Sequence, residues 1–387
     1  MFPDFAEQLR LREQQGLRRF RQIVEGPQAT HITIEGREYL AFSSNDYLGL
    51  ANHPDLIRSV CDGAQRYGVG AGASHLIHGH SAAHHALEKA LAEFTGFPKA
   101  LLFSTGYMAN IGVVTALVGR EDAIFADKLN HASLNDAALL SRAKFIRYPH
   151  LDMAALERRL AESDARRKLV ISDAVFSMEG DIAPVQALVA LCNKYQALLL
   201  LDDAHGFGIL GQQGRGSLSV PGWQKHRLPN LLYMATLGKA AGVFGAFVAA
   251  QADVIETLIQ SARSYIYTTA TPPLLSQALL TSLKLIEHDE WRREALATNI
   301  TQLKREVQSL RWKLLPSMTP IQPLLVGDSQ EAVRISQQLR ERGLLVPAIR
   351  PSTVPQNTAR LRISLSAAHL PHDIRRLTQA LQELAAA

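Results

Sequence analysis

From about residue 54 onward the chain alternates helical patterns with short runs that are apolar almost throughout. The runs are Ala100-Leu-Leu-Phe, Ala123-Ile-Phe-Ala, Lys144-Phe-Ile-Arg-Tyr, Leu169-Val-Ile-Ser, Ala197-Leu-Leu-Leu-Leu, Leu231-Leu-Tyr-Met and Gly245-Ala-Phe-Val. A strand covered on both faces has no wet side, so it loses the in-out alternation and reads as a continuous apolar run. Alternation with helices predicts an α/β fold: a mostly parallel seven-stranded sheet with helices on both faces. A long helix over about 273–314 is expected to close this part. The C-terminal remainder reads as strand 322–326, helix 329–342, strand 345–349, strand 360–366 and helix 372–384, a smaller α+β C-terminal domain. Ser329 suits that first helix's start and Gly343 its end. Residues 2–24 read as one amphipathic helix, and 31–34 with 38–42 as a hairpin turning at Gly36-Arg37. The expected divisions are 1–45 for the helix and hairpin, 46–285 for the large α/β domain and 286–387 for the C-terminal α+β domain.

Of 387 residues, 47% are hydrophobic and 20% charged, which fits a globular enzyme and excludes a disordered chain. The longest apolar runs fall far short of the ~18 residues a membrane span needs. The N-terminus carries acids and no long apolar stretch, so no secretory signal is expected. Cys61 and Cys192 show no C-x-x-C spacing, which points away from a disulfide scaffold and toward a reducing cytoplasm. The net charge of +5 is modest and scattered. It suits phosphate and carboxylate ligands, such as coenzyme A or an acyl carrier, and argues against nucleic acid. His75, His78, His80, His84 and His85 form a histidine cluster, but no Cys or Asp lies nearby to complete a ligand set. No metal is expected there; a polar loop leading into a helix is the better account.

The chemistry concentrates at the ends of two apolar runs. Lys239, in Thr236-Leu237-Gly238-Lys239-Ala240-Ala241-Gly242, has only small neighbours and comes directly after a buried strand. Burial disfavours its ammonium form and lowers its pKa, freeing it as a neutral nucleophile. Such a lysine can form a Schiff base with an aldehyde cofactor such as pyridoxal phosphate. Alone it would more readily be a solvated surface charge. The run 197–201 then ends in Asp202-Asp203-Ala204-His205. A pyridoxal ring needs a carboxylate against its pyridinium nitrogen and a polar group near its phenolic oxygen. Asp202 and His205 can supply both. Ser104-Thr105-Gly106-Tyr107 lies between a strand and a helical pattern, where backbone N–H groups and the helix dipole can hold a phosphate.

Together these runs resemble the α-oxoamine synthases, pyridoxal-phosphate enzymes of the fold-type I aminotransferase superfamily. The likeness extends through Phe42-Ser-Ser-Asn-Asp-Tyr-Leu-Gly-Leu50, Ser104-Thr-Gly-Tyr-Met-Ala-Asn110, Asp127-Lys-Leu-Asn-His-Ala-Ser133, Phe176-Ser-Met-Glu-Gly-Asp181 and Tyr267-Thr-Thr-Ala-Thr-Pro-Pro273. Ala348-Ile-Arg-Pro-Ser-Thr-Val-Pro355, followed by Thr358-Ala-Arg-Leu-Arg362, resembles the branch joining L-alanine to a pimeloyl thioester of coenzyme A or acyl carrier protein. Sister branches use glycine with acetyl-CoA or succinyl-CoA, or serine with a long acyl-CoA. They tend to carry an aromatic residue before the proline of Ile349-Arg350-Pro351.

The resemblance implies roles residue by residue. Lys239 is the cofactor's covalent anchor and the base acting on the alanine Cα. Asp202 pairs with the ring nitrogen, His205 with the phenolic oxygen, and His131 stacks on the ring. Gly106, Tyr107, Ser177 and Thr236 hold the cofactor, and Thr268-Thr269 reach the phosphate of a neighbouring subunit, which implies a homodimer with a shared active site. Arg360 and Arg362 are two apart on one strand face, so spacing cannot choose between them; the resemblance gives Arg362 the substrate carboxylate, with Asn45 as a second contact. Arg360 is then a solvated or salt-bridged strand residue. Arg18 and Thr353 take acyl-substrate positions. Asp173 matches a position usually filled by Asp or Glu, whereas Ala73 and His75 stand where many members carry Gly and Arg.

Overall fold

The computed structural model describes residues 4–14, 17–219 and 229–386. The N-terminal helix is shorter than its pattern, spanning Phe5–Gln14 with no buried residue. Residues 17–23 carry no regular structure, and positions 2, 3, 15 and 16 of the expected helix lie outside the described residues. Phe5, Leu9, Leu11 and Leu17 are all exposed, so no apolar face is buried to hold a longer helix. Three strands come next: β1 (Val24–Glu25), β2 (His31–Ile34) and β3 (Arg37–Ala41). The β2–β3 hairpin turns at Glu35-Gly36, one residue earlier than expected. Both have positive φ, 52° and 72°, the handedness that matches strand twist.

The central sheet contains β4 (Lys99–Phe103), β5 (Ala123–Asp127), β6 (Lys144–Tyr148), β7 (Lys168–Asp173), β8 (Leu198–Asp202), β9 (Leu231–Thr236) and β10 (Ala246–Ala250). Their order is β4-β10-β9-β8-β7-β5-β6. The β8–β9, β7–β8, β5–β7 and β5–β6 pairs are parallel, and β10 alone is reversed, antiparallel to both β4 and β9. The sheet is buried on both faces. Leu199 and Leu201 enter one apolar core while Leu200 between them enters the other. Asp127, Asp173, Asp202 and Thr236 end four parallel strands on one rim, where open α/β sheets bind ligands.

The expected long helix over 273–314 is two helices, Pro273–His288 and Glu290–Glu306. Asp289 leaves helical geometry between them (φ −85°, ψ 61°) and accepts from Arg292 Nε at 3.0 Å. Asp favours such junctions because its short carboxylate serves the next helix's first turn. β11 (Lys313–Leu314) and β12 (Ile321–Gly327) come after it, then the helix Ser329–Glu341. The expected strand 345–349 splits into β13 (Leu344–Leu345) and β14 (Ala348–Ile349), with Pro347, which has no N–H for a ladder, in the gap. β13 pairs with β3, so the N-terminal hairpin and the C-terminal segment share one sheet. β15 (Ala359–Ser364) lies between β12 and β14, and the helix Pro371–Ala386 ends the described chain. No helix among the described residues is long and apolar enough to cross a membrane.

Candidate active site

Asp202 ends β8 and is 3% exposed. Its Oδ2 accepts from Asn110 Nδ2 at 2.8 Å and its Oδ1 from the Ala204 N–H at 3.0 Å. Asn110 comes from the helix Gly106–Leu117 and also donates to Ser133 Oγ at 2.8 Å. The turn after β8 brings His205 beneath Lys239, with Nε2 3.0 Å from Nζ. The other ring nitrogen, Nδ1, lies 2.7 Å from the Tyr47 hydroxyl, which also donates to Asn45 Oδ1 at 3.0 Å. Arg362 closes this relay: Nη2 donates to Asn45 Oδ1 at 3.2 Å and to the Tyr47 oxygen at 3.4 Å. One hydrogen-bonded chain therefore joins Lys239 to Arg362 through three side chains.

Burial sets the electrostatics. It lowers the Lys239 pKa to about 8, against the opposing pull of Asp202 and Asp173. Burial, then the charges of Lys239 and Arg362, holds the His205 ring well below the usual histidine range. Burial also lowers His131, although Asp202 works against it. Asp173 is pushed well above the usual carboxyl range by burial and by the Asp202 charge beside it. It accepts the His131 N–H at 2.6 Å, fixing the start of the helix Ala132–Ser141 that His131 caps.

Of these groups Asn45, His131, His205, Lys239 and Arg362 line a cavity of about 600 Å³, together with Ser177 and Thr353. Arg362 is held rigidly: Nε donates to the Ser177 carbonyl at 2.6 Å and Nη1 to Ser364 Oγ at 2.8 Å. It pairs with no carboxylate among the described residues, although it is only 6% exposed. A buried guanidinium without a counter-ion is primed for a ligand carboxylate. Arg360, on the same strand face, is instead paired with Glu179 at 3.1 Å.

At the other end, Thr105 caps the helix Gly106–Leu117 by accepting the Met108 N–H at 3.2 Å. A Cβ on Gly106 would lie 2.6 Å from Thr236 Cγ2, so only glycine allows helix start and β9 end to meet this closely. Thr236 Oγ1 donates to the Ala204 carbonyl at 3.5 Å. The Tyr107 hydroxyl donates to Asp136 Oδ2. An amine that loses its proton near neutrality, a fixed carboxylate, a histidine pair and a helix N-terminus at Gly106 fit the donor set pyridoxal phosphate requires.

Other expected residues lie outside this cavity. Thr269 forms an isolated bridge with Ser74, and Ala270 donates to the Ala73 carbonyl at 3.0 Å, placing Thr268-Thr269 at that junction. Arg18 pairs with Glu13 at 2.5 Å in solvent. Its neighbour Arg19, with Arg12 and Arg350, lines an adjoining cleft of about 400 Å³ that shares Ser352 and Thr353 with the main cavity. The histidine-rich stretch is not a polar loop. His75 is buried and stacked on Tyr265 at 5.0 Å, and fully buried His84 accepts the Ser81 N–H and hydrogen-bonds the Thr271 carbonyl. Capping the helix Ala82–Thr95 at Ser81 is what draws that ring inward.

Tyr47 and Asn110 have no role that their local sequence announces. The one signal for Asn110 is a polar residue in an apolar helix, which once buried must find partners. His150 has no local signal: Nδ1 meets Asp127 Oδ1 at 2.9 Å and Nε2 meets Asp181 Oδ2 at 3.0 Å, both distant in sequence. Burial opposes its charge, but the two carboxylates prevail and raise its pKa to about 10.

The sequence pattern of the family "Aminotransferase class I and II" matches residues 37–381. An 8-amino-7-oxononanoate synthase of Nitrosomonas eutropha is 68% identical over 385 residues, covering 100% of both chains. A serine palmitoyltransferase structure from S. paucimobilis, with a bound PLP–myriocin compound, superposes with TM-score 0.91 at 28% identity, covering 99% of this chain and 96% of that one. The 8-amino-7-oxononanoate synthase of Francisella tularensis superposes with TM-score 0.76 at 31% identity, over 89% of this chain and 98% of that one.

Proposed function

Because the chain belongs to the class I and II aminotransferase family and has full-length relatives that are 8-amino-7-oxononanoate synthases, we propose the same reaction for it. It condenses L-alanine with a pimeloyl thioester, releasing carbon dioxide and the thiol carrier, to give 8-amino-7-oxononanoate for biotin synthesis. Pyridoxal phosphate, when bound, withdraws electrons from the alanine Cα through a ring kept protonated at nitrogen.

The chain's own groups do the rest. Lys239 Nζ anchors the cofactor, and Asp202, oriented by Asn110, stands as the counter-charge for the ring nitrogen. His205 serves the phenolic oxygen and His131 covers the ring. The helix start at Gly106 and Tyr107 takes the phosphate, and Ser177 and Thr236 help hold the cofactor. Thr268 and Thr269 reach a second subunit's phosphate, making the working unit a homodimer. Arg362 and Asn45 grip the alanine carboxylate in one orientation, and Lys239 removes and returns the Cα proton. Thr353, common to cavity and cleft, contacts the acyl chain. The cleft arginines, with Arg18 beside them, attract the anionic carrier, coenzyme A or acyl carrier protein. Cys61 and Cys192 are free, in keeping with a reducing cytoplasm.

One observation carries this reading: a lysine amine with pKa about 8 is linked by hydrogen bonds to a buried arginine that has no counter-ion among the described residues. The test is thiol release from a matrix of amino acids (alanine, glycine, serine) and thioesters (pimeloyl, acetyl, succinyl, palmitoyl). Alanine with the pimeloyl thioester should exceed every other pair. A glycine or serine pair turning over faster would assign a sister reaction.

A further inference from the structure

Three side chains at the open edge of the central sheet make a second site. His80 comes just after the turn His75–Gly79. His85 and Glu88 are three apart on the helix Ala82–Thr95, hence on one face. One ligand atom from each lies within 4.8 Å of the others. They border a cavity of about 570 Å³ that also reaches His75, Lys99 and Tyr265.

Two of the three are oriented from behind. Among the described residues β4 pairs only with β10, and on its outer edge the Leu102 N–H donates to Glu88 Oε1 at 3.0 Å. Glu88 Oε2 is left 3.8 Å from His80 Nε2, too far for a direct hydrogen bond. On the other side of the His80 ring, Nδ1 lies 3.0 Å from His75 Nδ1. A neutral His80 donating from Nδ1 to His75 presents its Nε2 lone pair toward Glu88. Metal-binding histidines and carboxylates are held by outer partners in this manner.

We propose that His80, His85 and Glu88 bind a divalent transition-metal ion, with zinc the best match to two imidazoles and one carboxylate, and with a further position open to the cavity. The neighbouring trio His75, His80 and His84 does not serve, because both His84 nitrogens are committed to Ser81 and Thr271. Metal–ligand bonds of ~2.0–2.1 Å in a tetrahedron set ligand atoms roughly 3.3 Å apart, so binding draws the three side chains inward by small rotations. The ion ties the His75–Gly79 turn to the helix after it. Ser74, beside that turn, bridges Thr269, so occupancy bears on that junction too.

The test titrates cobalt(II), then zinc, into holoenzyme and monitors visible d–d absorption. One cobalt per subunit is expected, displaced by zinc. His85→Ala should abolish the bands while leaving turnover in metal-free buffer unchanged; His85 is exposed, so this change does not endanger folding. His75→Phe, which retains an aromatic ring for the Tyr265 stack but cannot accept from His80, should weaken affinity about 10–100-fold. No stoichiometric band, or equal affinity in His85→Ala, would overturn the proposal.

Discussion

The Lys239 amine stands 3.0 Å from Nε2 of His205, and the charge of one helps keep the ring of the other neutral. The lysine is thereby held by a group that does not compete for its proton. Its pKa of about 8 lets it pass between nucleophile and acid near physiological pH.

Replacing Lys239 tests both halves of that statement. Lys239→Ala should reduce turnover at least as much as loss of a positioned base, about 10²–10⁴-fold, with near-ultraviolet circular dichroism confirming the fold. In cofactor-free protein, Lys239→Met should be more stable than the parent below about pH 8. The folded amine has its pKa near 8 against 10.5 when free, so between those values the unfolded chain binds more protons. The parent's penalty is therefore full below pH 8 and fades as pH rises to 10.5. Urea unfolding at pH 7 and pH 10 should show the variant's advantage shrinking.

Arg362→Lys keeps the charge and loses the fork. Charge-assisted hydrogen bonds contribute ~1.5–3 kcal/mol each, so the KM for alanine should rise roughly 10–100-fold. The KM for the thioester should stay within about twofold, since only the carboxylate grip changes. Steady-state kinetics varying each substrate separate the two; equal increases in both would show that Arg362 serves the whole cavity.

Gly106→Ala forces a methyl to 2.6 Å from Thr236 Cγ2. The helix start must withdraw from the phosphate region, and cofactor affinity should fall by at least about tenfold, since misplaced N–H groups lose a charge-assisted contact. Thr236→Ser deletes the obstructing methyl but retains the hydroxyl. The double variant should recover much of the loss in equilibrium dialysis with pyridoxal phosphate. No recovery would mean the clash is not the cause.

His150→Leu removes the cation between Asp127 and Asp181 and should cost about 3 kcal/mol at neutral pH, as for a broken, largely buried ion pair. The ring's pKa is about 10 in the folded chain against 6.5 when free. Its contribution is therefore complete below pH 6.5 and is lost as pH rises through 10. Thermal melts across that range should find parent and variant converging at the alkaline end.

Much of the fold and the chemistry was legible in one dimension. The seven strands could be read because each is buried on both faces, which erases alternation and leaves an apolar run. Asp202, His205 and Lys239 could be read because strand ends are where such a sheet presents its functional groups. The break at Asp289 and the division of 345–349 were harder to see. Helical pattern continues through the first, and the second depends on β13 leaving to pair with β3.

Local order along the chain thus sufficed for sheet and cofactor class, because backbone periodicity and short motifs act over a few neighbouring residues. Two matters rested on folding: Arg360 being neutralised while Arg362 meets no carboxylate among the described residues, and His150 as a brace between Asp127 and Asp181. Arg362 and Arg360 share a strand face, and what separates them is that Glu179 neutralises one of them. Electrostatics and hydrogen bonding act through space, so which charges are matched is settled only when distant segments pack together.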